Sequence, residues 1–187
     1  MSRNHSGGIN QKLHVSIQPN IGLDGDARRS VVGMLNTFLA DEAILTTKTY
    51  SACWNMHGAG FLELRTLLDQ QGRQLRMLTN KAAERVRILG GFAISSFGDF
   101  LHYTRLDEQP GEAPEIIRLL ADHEAAIRYL REDARKCYEE YEDHGTYALL
   151  VHFIRLHEKM AWMLRSYIEP EMILDESQGE PVQSPLR

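Results

Sequence analysis

The stretch FLELRTLLDQQGRQLRMLTNKAAERVRILGG, residues 61–91, decides the fold. Its apolar residues Phe61, Leu64, Leu68, Leu75, Leu78, Ala82 and Leu89 return at three- and four-residue steps, and Gln71 occupies one turn of the same stripe. That is the period at which one face of an α-helix meets a core; a half-buried strand would alternate every second residue. Gly90 and Gly91 supply the stop, since glycine takes the left-handed conformation that ends many helices. A continuous helix over residues 60–89 is roughly 45 Å long at about 1.5 Å per residue. Such a helix needs neighbours of similar length along its apolar side.

Three further stripes supply them. Upstream, Val31, Leu35, Phe38, Glu42, Leu45, Thr49 and Ala52 form the first, with Asp24 or Asp26 available as N-cap and Gly58 as a stop. Downstream, Ile116, Leu120, His123, Ile127, Leu130, Ala134, Cys137 and Tyr141 form the third, starting after Pro114 and ending near Gly145. The fourth runs through Leu149, Phe153, Leu156, Met160, Met163 and Tyr167 and is expected to stop before Pro170. The joints at 58–60 and 144–145 reverse the chain tightly, whereas 90–114 must cross the bundle between helices two and three. Within that crossover, residues 96–103 mix aromatic and polar groups in a pattern that predicts a short extra helix. The expected fold is therefore all-α: a four-helix bundle over residues 24–169, with no strands, repeats or second domain.

The flanks read as tails. Residues 1–23 lack periodicity and carry Arg3 and Lys12, with His5 and His14, among Ser, Asn, Gln and Gly. They are the only basic segment before the first acid, which makes Arg3 and Lys12 the candidate DNA contacts, although two full charges release few counterions. Residues 170–187 carry prolines among Glu171, Asp175, Glu176 and Glu180, an acidic tail that repels DNA. The chain of 187 residues bears a formal charge of −5, so it does not attract phosphate backbones as a whole. Two cysteines do not suggest a disulfide scaffold, and no stretch reads as a signal peptide or membrane span. A cytoplasmic location is expected.

Chemistry is sparse. A di-iron site inside one bundle needs Glu-x-x-His pairs, because residues three apart share a helix face, and no glutamate here has a histidine three positions on. Glu42, Gln71 and His123 interrupt the core stripes, a pattern that points to buried hydrogen-bonded partners before it points to a metal. Cys53 and His57 stand four apart, but two ligands do not make a zinc or copper site. Hydrolase elbows and phosphate-binding loops are absent from the sequence.

One constellation is more specific. Lys48-Thr49, then Cys53-Trp54-Asn55-Met56-His57-Gly58-Ala59-Gly60-Phe61, then Leu64-Arg65, Leu68-Asp69, Ala83-Glu84-Arg85 and Leu89-Gly90-Gly91 follow one another, and His157-Glu158-Lys159 and Ala161-Trp162-Met163-Leu164 lie in the last helix. This resembles the Dps mini-ferritins, DNA-protecting proteins of starved bacteria, over about residues 24–169. The resemblance implies a closed dodecamer with two-fold interfaces that takes in ferrous iron, oxidises it with peroxide or oxygen at sites shared between subunits, and stores ferric mineral. It places one subunit's ligands at positions 53, 65 and 69 and the partner's at 80 and 84, with Trp54 beside the site. It also implies three-fold pores lined by acids near the turn between helices three and four, for which Glu142 and Asp143 are the candidates.

The chain departs from that pattern where the chemistry lies. The family has histidine at positions 53 and 65 and aspartate at 80; this chain has Cys53, Arg65 and Asn80, and keeps carboxylates only at Asp69 and Glu84. Arginine offers no lone pair and a permanent charge, and a neutral amide oxygen is a poor iron ligand. A thiol beside iron and peroxide is readily oxidised. The expectation is a Dps-like shell with a degenerate ferroxidase site, in which Arg65 pairs with Asp69 or with Glu84 of the two-fold mate. The alternatives are an active mini-ferritin working through the residual carboxylates and a DNA-compacting protein acting through the basic arm.

Overall fold

The computed structural model describes residues 18–176, and side chains as far as residue 168. Five helices follow in order: α1 (Gly25–Asn55), α2 (Phe61–Ile88), α3 (Phe97–Tyr103), α4 (Ile116–Glu139) and α5 (His144–Glu176). No strand occurs among the described residues. Helices α1 and α2 form one antiparallel hairpin and α4 and α5 another; α1 packs on α4, α2 meets α5, and α3 lies along α1. The four long helices are the expected bundle, and the short helix in the crossover is α3, with Ser96 as its N-cap accepting from the Asp99 amide.

The termini follow from local chemistry. The Asp24 carboxylate caps α1 by accepting from Asp26 N at 2.7 Å and Ala27 N at 3.4 Å. Helix α2 ends in a Schellman motif: Gly91 N donates to Val86 O and Gly90 N to Arg87 O, with Gly90 at φ +84°. The α1–α2 turn uses left-handed Gly58 and Gly60, as expected.

Two boundaries differ from expectation. The left-handed residue that turns the chain between α4 and α5 is Glu142, at φ +51°, and Gly145 lies inside the first turn of α5. Gly145 instead leaves room for Arg85: a Cβ there would stand 2.9 Å from the guanidinium and shift that side chain. Helix α5 also continues through Pro170 to Glu176. A proline forfeits one helical N–H bond, which this helix tolerates without ending.

Every residue expected on the α1 stripe is buried, with Leu35, Phe38, Leu45 and Ala52 in one apolar core with Leu68, Leu75, Leu130, Phe153 and Met160. On α5, Phe153 and Met160 are buried as expected, but Leu149, Leu156, Met163 and Tyr167 are half-buried, and Leu150, Ile154, His157, Ala161 and Leu164 complete the inward face. His157 therefore joins Glu42 and His123 in the interior, and all three are fully buried.

The crossover is fastened to α1 along its length. Asn36 donates to Phe92 O and accepts from Ile94 N; Asp41 accepts from Thr104 Oγ1, Arg105 N and Arg105 Nε; Lys48 donates to Asp107 O at 2.8 Å. Arg105 also reaches Asp133 at 3.1 Å and lies over the Tyr129 ring. These polar contacts hold an otherwise irregular segment against a helix, where burial without partners would be costly.

Candidate functional site

The positions singled out on α2 form one outer stripe. Arg65, Asp69, Arg73, Arg76, Asn80 and Glu84 succeed one another at three- and four-residue steps, all exposed except the half-buried Asp69. Within one chain, Asp69 and Glu84 are roughly 22 Å apart at about 1.5 Å per helical residue. They cannot share an ion unless a second copy supplies one of them. Among the described residues, no group of three or more His, Cys, Asp or Glu side chains in the single chain is placed to hold a metal.

Of the two pairings expected for Arg65, the one within the chain is not made. Asp69 is paired with Arg73, one turn along, and not with Arg65. Both arginines lie one turn from Asp69, on opposite sides, and Arg73 is the one that closes on it. Cys53 is buried at 3% exposure, and its Sγ lies 3.8 Å from Arg65 O, a thiol turned toward its neighbouring helix. Trp54 is 69% exposed and stacks on Tyr50 with ring centroids 6.0 Å apart. The stripe carries three guanidinium groups against two carboxylates, one net positive charge. Histidine at 65 and aspartate at 80 would leave two guanidinium groups against three carboxylates, one net negative charge.

The two acids expected at a pore have unlike surroundings. Glu142 is exposed at the turn. Asp143 is 2% exposed and serves as the N-cap of α5: its Oδ1 accepts from Thr146 N at 2.9 Å and Arg85 Nη2 at 2.6 Å, and its Oδ2 from Thr146 Oγ1 at 2.5 Å. Arg85 Nε donates to Thr146 Oγ1 at 2.8 Å, which closes the network. A carboxylate so engaged lies at a helix N-terminus, where the dipole favours it. The DNA-contact candidates Arg3 and Lys12 lie outside the described residues.

Sequence reading missed His157 as a core residue because it assigned the α5 stripe through Leu156. The i, i+3, i+4 series from Leu150 through Phe153 and Ile154 reaches His157 and was the available signal. His157 Nε2 lies 3.0 Å from Glu42 Oε1, and its Nδ1 lies 3.0 Å from His123 Nδ1. Glu42 thus has the buried polar partner its position on the stripe called for. Cys137, also interior, has its thiol pushed up to about 12, first by burial and then by the Asp143 and Asp133 carboxylates. It is a packing residue and not a nucleophile.

A bundle of this topology with a long second connection defines a ferritin-like protein. Residues 32–172 match the family model of the Ferritin-like domain. An uncharacterized low temperature-induced protein of Nostoc is 38% identical over 158 residues, 82% of this chain and 88% of the relative. The DNA protection during starvation protein of Agrobacterium fabrum is 30% identical over 154 residues, 79% of this chain and 93% of that one. Among solved structures, DpsC from Streptomyces coelicolor superposes with a TM-score of 0.77 at 30% identity, covering 91% of this chain and 93% of the other. A Dps protein from Vibrio cholerae, a member of a broad superfamily of ferritin-like diiron-carboxylate proteins, gives 0.75 at 25% identity, covering 81% of this chain and 96% of the other. The chain belongs to the Dps family of ferritin-like proteins. No described helix is long and apolar enough to cross a membrane.

Proposed function

We propose that the protein is a subunit of a homo-oligomeric shell, a Dps-like dodecamer with two-fold interfaces, that stores iron as cargo and protects the cell under stress. In this reading the family's inter-subunit ferroxidase site has lost its ligands. The observation that carries it is the charge of the α2 stripe. Antiparallel pairing of two α2 helices brings Asp69 of one copy level with Glu84 of the other about a point beside Met77, itself 56% exposed. At that point the chain offers guanidinium groups in place of imidazole. Arg73 on Asp69 supplies from protein the positive charge that ferrous iron would bring.

Electrostatics supports the same reading. Two paired stripes hold two net positive charges, and a divalent cation approaching a partly buried seam is repelled where the family pattern would attract it. Storage, mineral nucleation or co-assembly then remain as tasks of the shell. DNA protection is the further role the relatives' names suggest, with Arg3 and Lys12 as its candidate contacts.

Anaerobic titration of the purified assembly with ferrous iron, followed by peroxide, tests the proposal. The expected outcome is oxidation no faster than in buffer alone, with iron still recovered in the shell. Cys53→His with Arg65→His and Asn80→Asp is expected to raise the peroxide-driven rate at least tenfold by restoring three ligands beside Asp69 and Glu84. Rapid oxidation by the natural protein, with two metal ions at Asp69 and Glu84, would instead identify an active mini-ferritin.

A further inference from the structure

The bundle interior holds Glu42 on α1, His123 on α4 and His157 on α5 in one chain of contacts, each fully buried. Both oxygens of Glu42 and the Nε2 atoms of His123 and His157 lack a well-formed hydrogen bond. His157 Nε2 stands 3.0 Å from Glu42 Oε1, within reach of a proton shared between them. A carboxylate in that setting is a fully buried anion with a single imidazole as its close polar partner. Such a group takes up a proton sooner than it stays charged.

Among the described residues, the charged side chains nearest the trio are engaged elsewhere. Asp41, the neighbouring acid on α1, is turned to Arg105 and Thr104 of the crossover. Lys48 of α1 and Asp122 of α4 neutralise each other. Helix α2 presents neutral Gln71, whose amide donates to Met160 O of α5 at 3.2 Å. On α5, Glu158 pairs outward with Arg131 of α4. The remaining ring facing the site is Phe38, edge-on to His157.

We propose that Glu42, His157 and His123 together hold one proton beyond an ionised glutamate and two neutral imidazoles, so that the trio is uncharged at neutral pH and makes the bundle's stability pH-sensitive. Proton accounting fixes the tautomers. The added proton lies between Glu42 and His157 Nε2, either as a carboxylic acid donating to the ring or as an imidazolium donating to the carboxylate. In both forms His157 Nδ1–H donates to His123 Nδ1, and His123 carries its own proton on Nε2. Removing the extra proton would reverse the chain, with His123 Nδ1–H donating to His157 Nδ1 and His157 Nε2–H donating to Glu42. The directions of titration agree. Burial pushes the Glu42 carboxyl above its ordinary range, against the pull of His157, and burial followed by the neighbouring His157 drives His123 well below the usual histidine range. His123 therefore refuses a second proton.

The pH dependence has a definite shape. Above about pH 6.5 the unfolded chain holds less than one proton on these three groups while the folded trio keeps one, so folding weakens as pH rises, by about tenfold per pH unit. Below that pH the two unfolded histidines hold more than one proton between them, and folding weakens as pH falls. The contribution of the trio is largest near neutrality and declines on both sides. An anionic trio would have no alkaline limb.

The assembled protein is unfolded with guanidinium in weak buffer near pH 8 and the protons released per chain are counted against Glu42→Gln. The natural protein is expected to release about one proton more than the variant. Equal release would overturn the proposal. Solid-state nitrogen NMR of the histidine-labelled natural protein needs no variant: His123 protonated at Nε2 and accepting at Nδ1 supports it, and the reverse tautomer overturns it. One equivalent of zinc or iron bound per chain and lost in Glu42→Gln would likewise overturn it, since the carboxylate would then be a metal ligand.

Discussion

Replacing Asp143 by alanine separates a structural carboxylate from a pore carboxylate. The side chain is 2% exposed and accepts from Thr146 N, Thr146 Oγ1 and Arg85 Nη2. Loss of an N-cap costs about 1 kcal/mol. Breaking a buried ion pair costs about 3–5 kcal/mol, and because the Arg85 side chain is 17% exposed the lower end applies. The two losses share one carboxylate and do not add fully, so about 3–4 kcal/mol is expected. For a chain of this size each kcal/mol moves the melting temperature by about 2–4 °C, giving a fall of about 6–16 °C. Asp143→Asn keeps a capping oxygen and should lose about half as much. Glu142→Asn removes the exposed acid at a φ of +51° that asparagine tolerates well, and should leave the melting temperature within about 2 °C. Differential scanning calorimetry of the three variants reads these values, and ferrous uptake reads pore function. If Asp143→Ala melts with the natural protein yet takes up iron slowly, the cap argument fails and the carboxylate belongs to the entry path. Slow uptake by the Glu142→Asn shell, with stability unchanged, would show that acid working at a pore.

Lys48→Met should destabilise the protein by about 3–5 kcal/mol at neutral pH, because it strips the partner from Asp122, whose side chain is 15% exposed, and the donor from Asp107 O. Burial already raises the Asp122 carboxyl against the pull of Lys48, so without the lysine its charged form is penalised further. The deficit relative to the natural protein should shrink as pH falls through that raised pKa; melting curves showing a pH-independent deficit would refute this. Gly72→Ala should cost about 1–3 kcal/mol, since a Cβ there would stand 2.8 Å from the Tyr50 ring, which stacks on Trp54. Unchanged melting and unchanged tryptophan fluorescence would show that Tyr50 yields freely.

Periodicity carried most of the fold. Along α1 the apolar steps name the buried face residue by residue, because that helix is packed by α2, α3 and α4 and has little freedom in which side it buries. Along α5 the stripe through Leu149 and Leu156 competes with the one through Leu150 and His157, and a histidine scores against burial until its partners are known. Those partners, Glu42 and His123, lie far away in sequence. The same distance hid the role of Asp143. A run of acids beside a glycine reads as a solvated turn, whereas Arg85 and the cap of α5 draw one of them inside. Pro170 signals a stop by local rules, yet a helix long enough to spread one lost hydrogen bond passes through it. The candidate site was legible only through resemblance, because Asp69 and Glu84 sit about four turns apart on one helix and cannot meet within one chain.

Two of the three departures from the family pattern fall on a surface away from the core, whereas Cys53 is buried within it. Arg65 and Asn80 are exposed on α2, and neither touches the apolar core. The buried ionisable groups follow another logic: Asp41 with Arg105, Lys48 with Asp122 and Arg85 with Asp143 are compensated within the chain. Substitution along the outer stripe therefore leaves core packing unchanged, and in the proposed shell it answers to the paired subunit. Two of the changes, histidine to Arg65 and aspartate to Asn80, reverse the sign of the stripe. A single ligand exchange at Cys53 leaves it untouched. On the proposed reading, ligand loss weakens iron binding and the reversed charge of the stripe also opposes the approach of the cation. On the proposed reading, restoration of iron oxidation needs both positions on α2, and Cys53→His alone is expected to leave the oxidation rate at that of the natural protein.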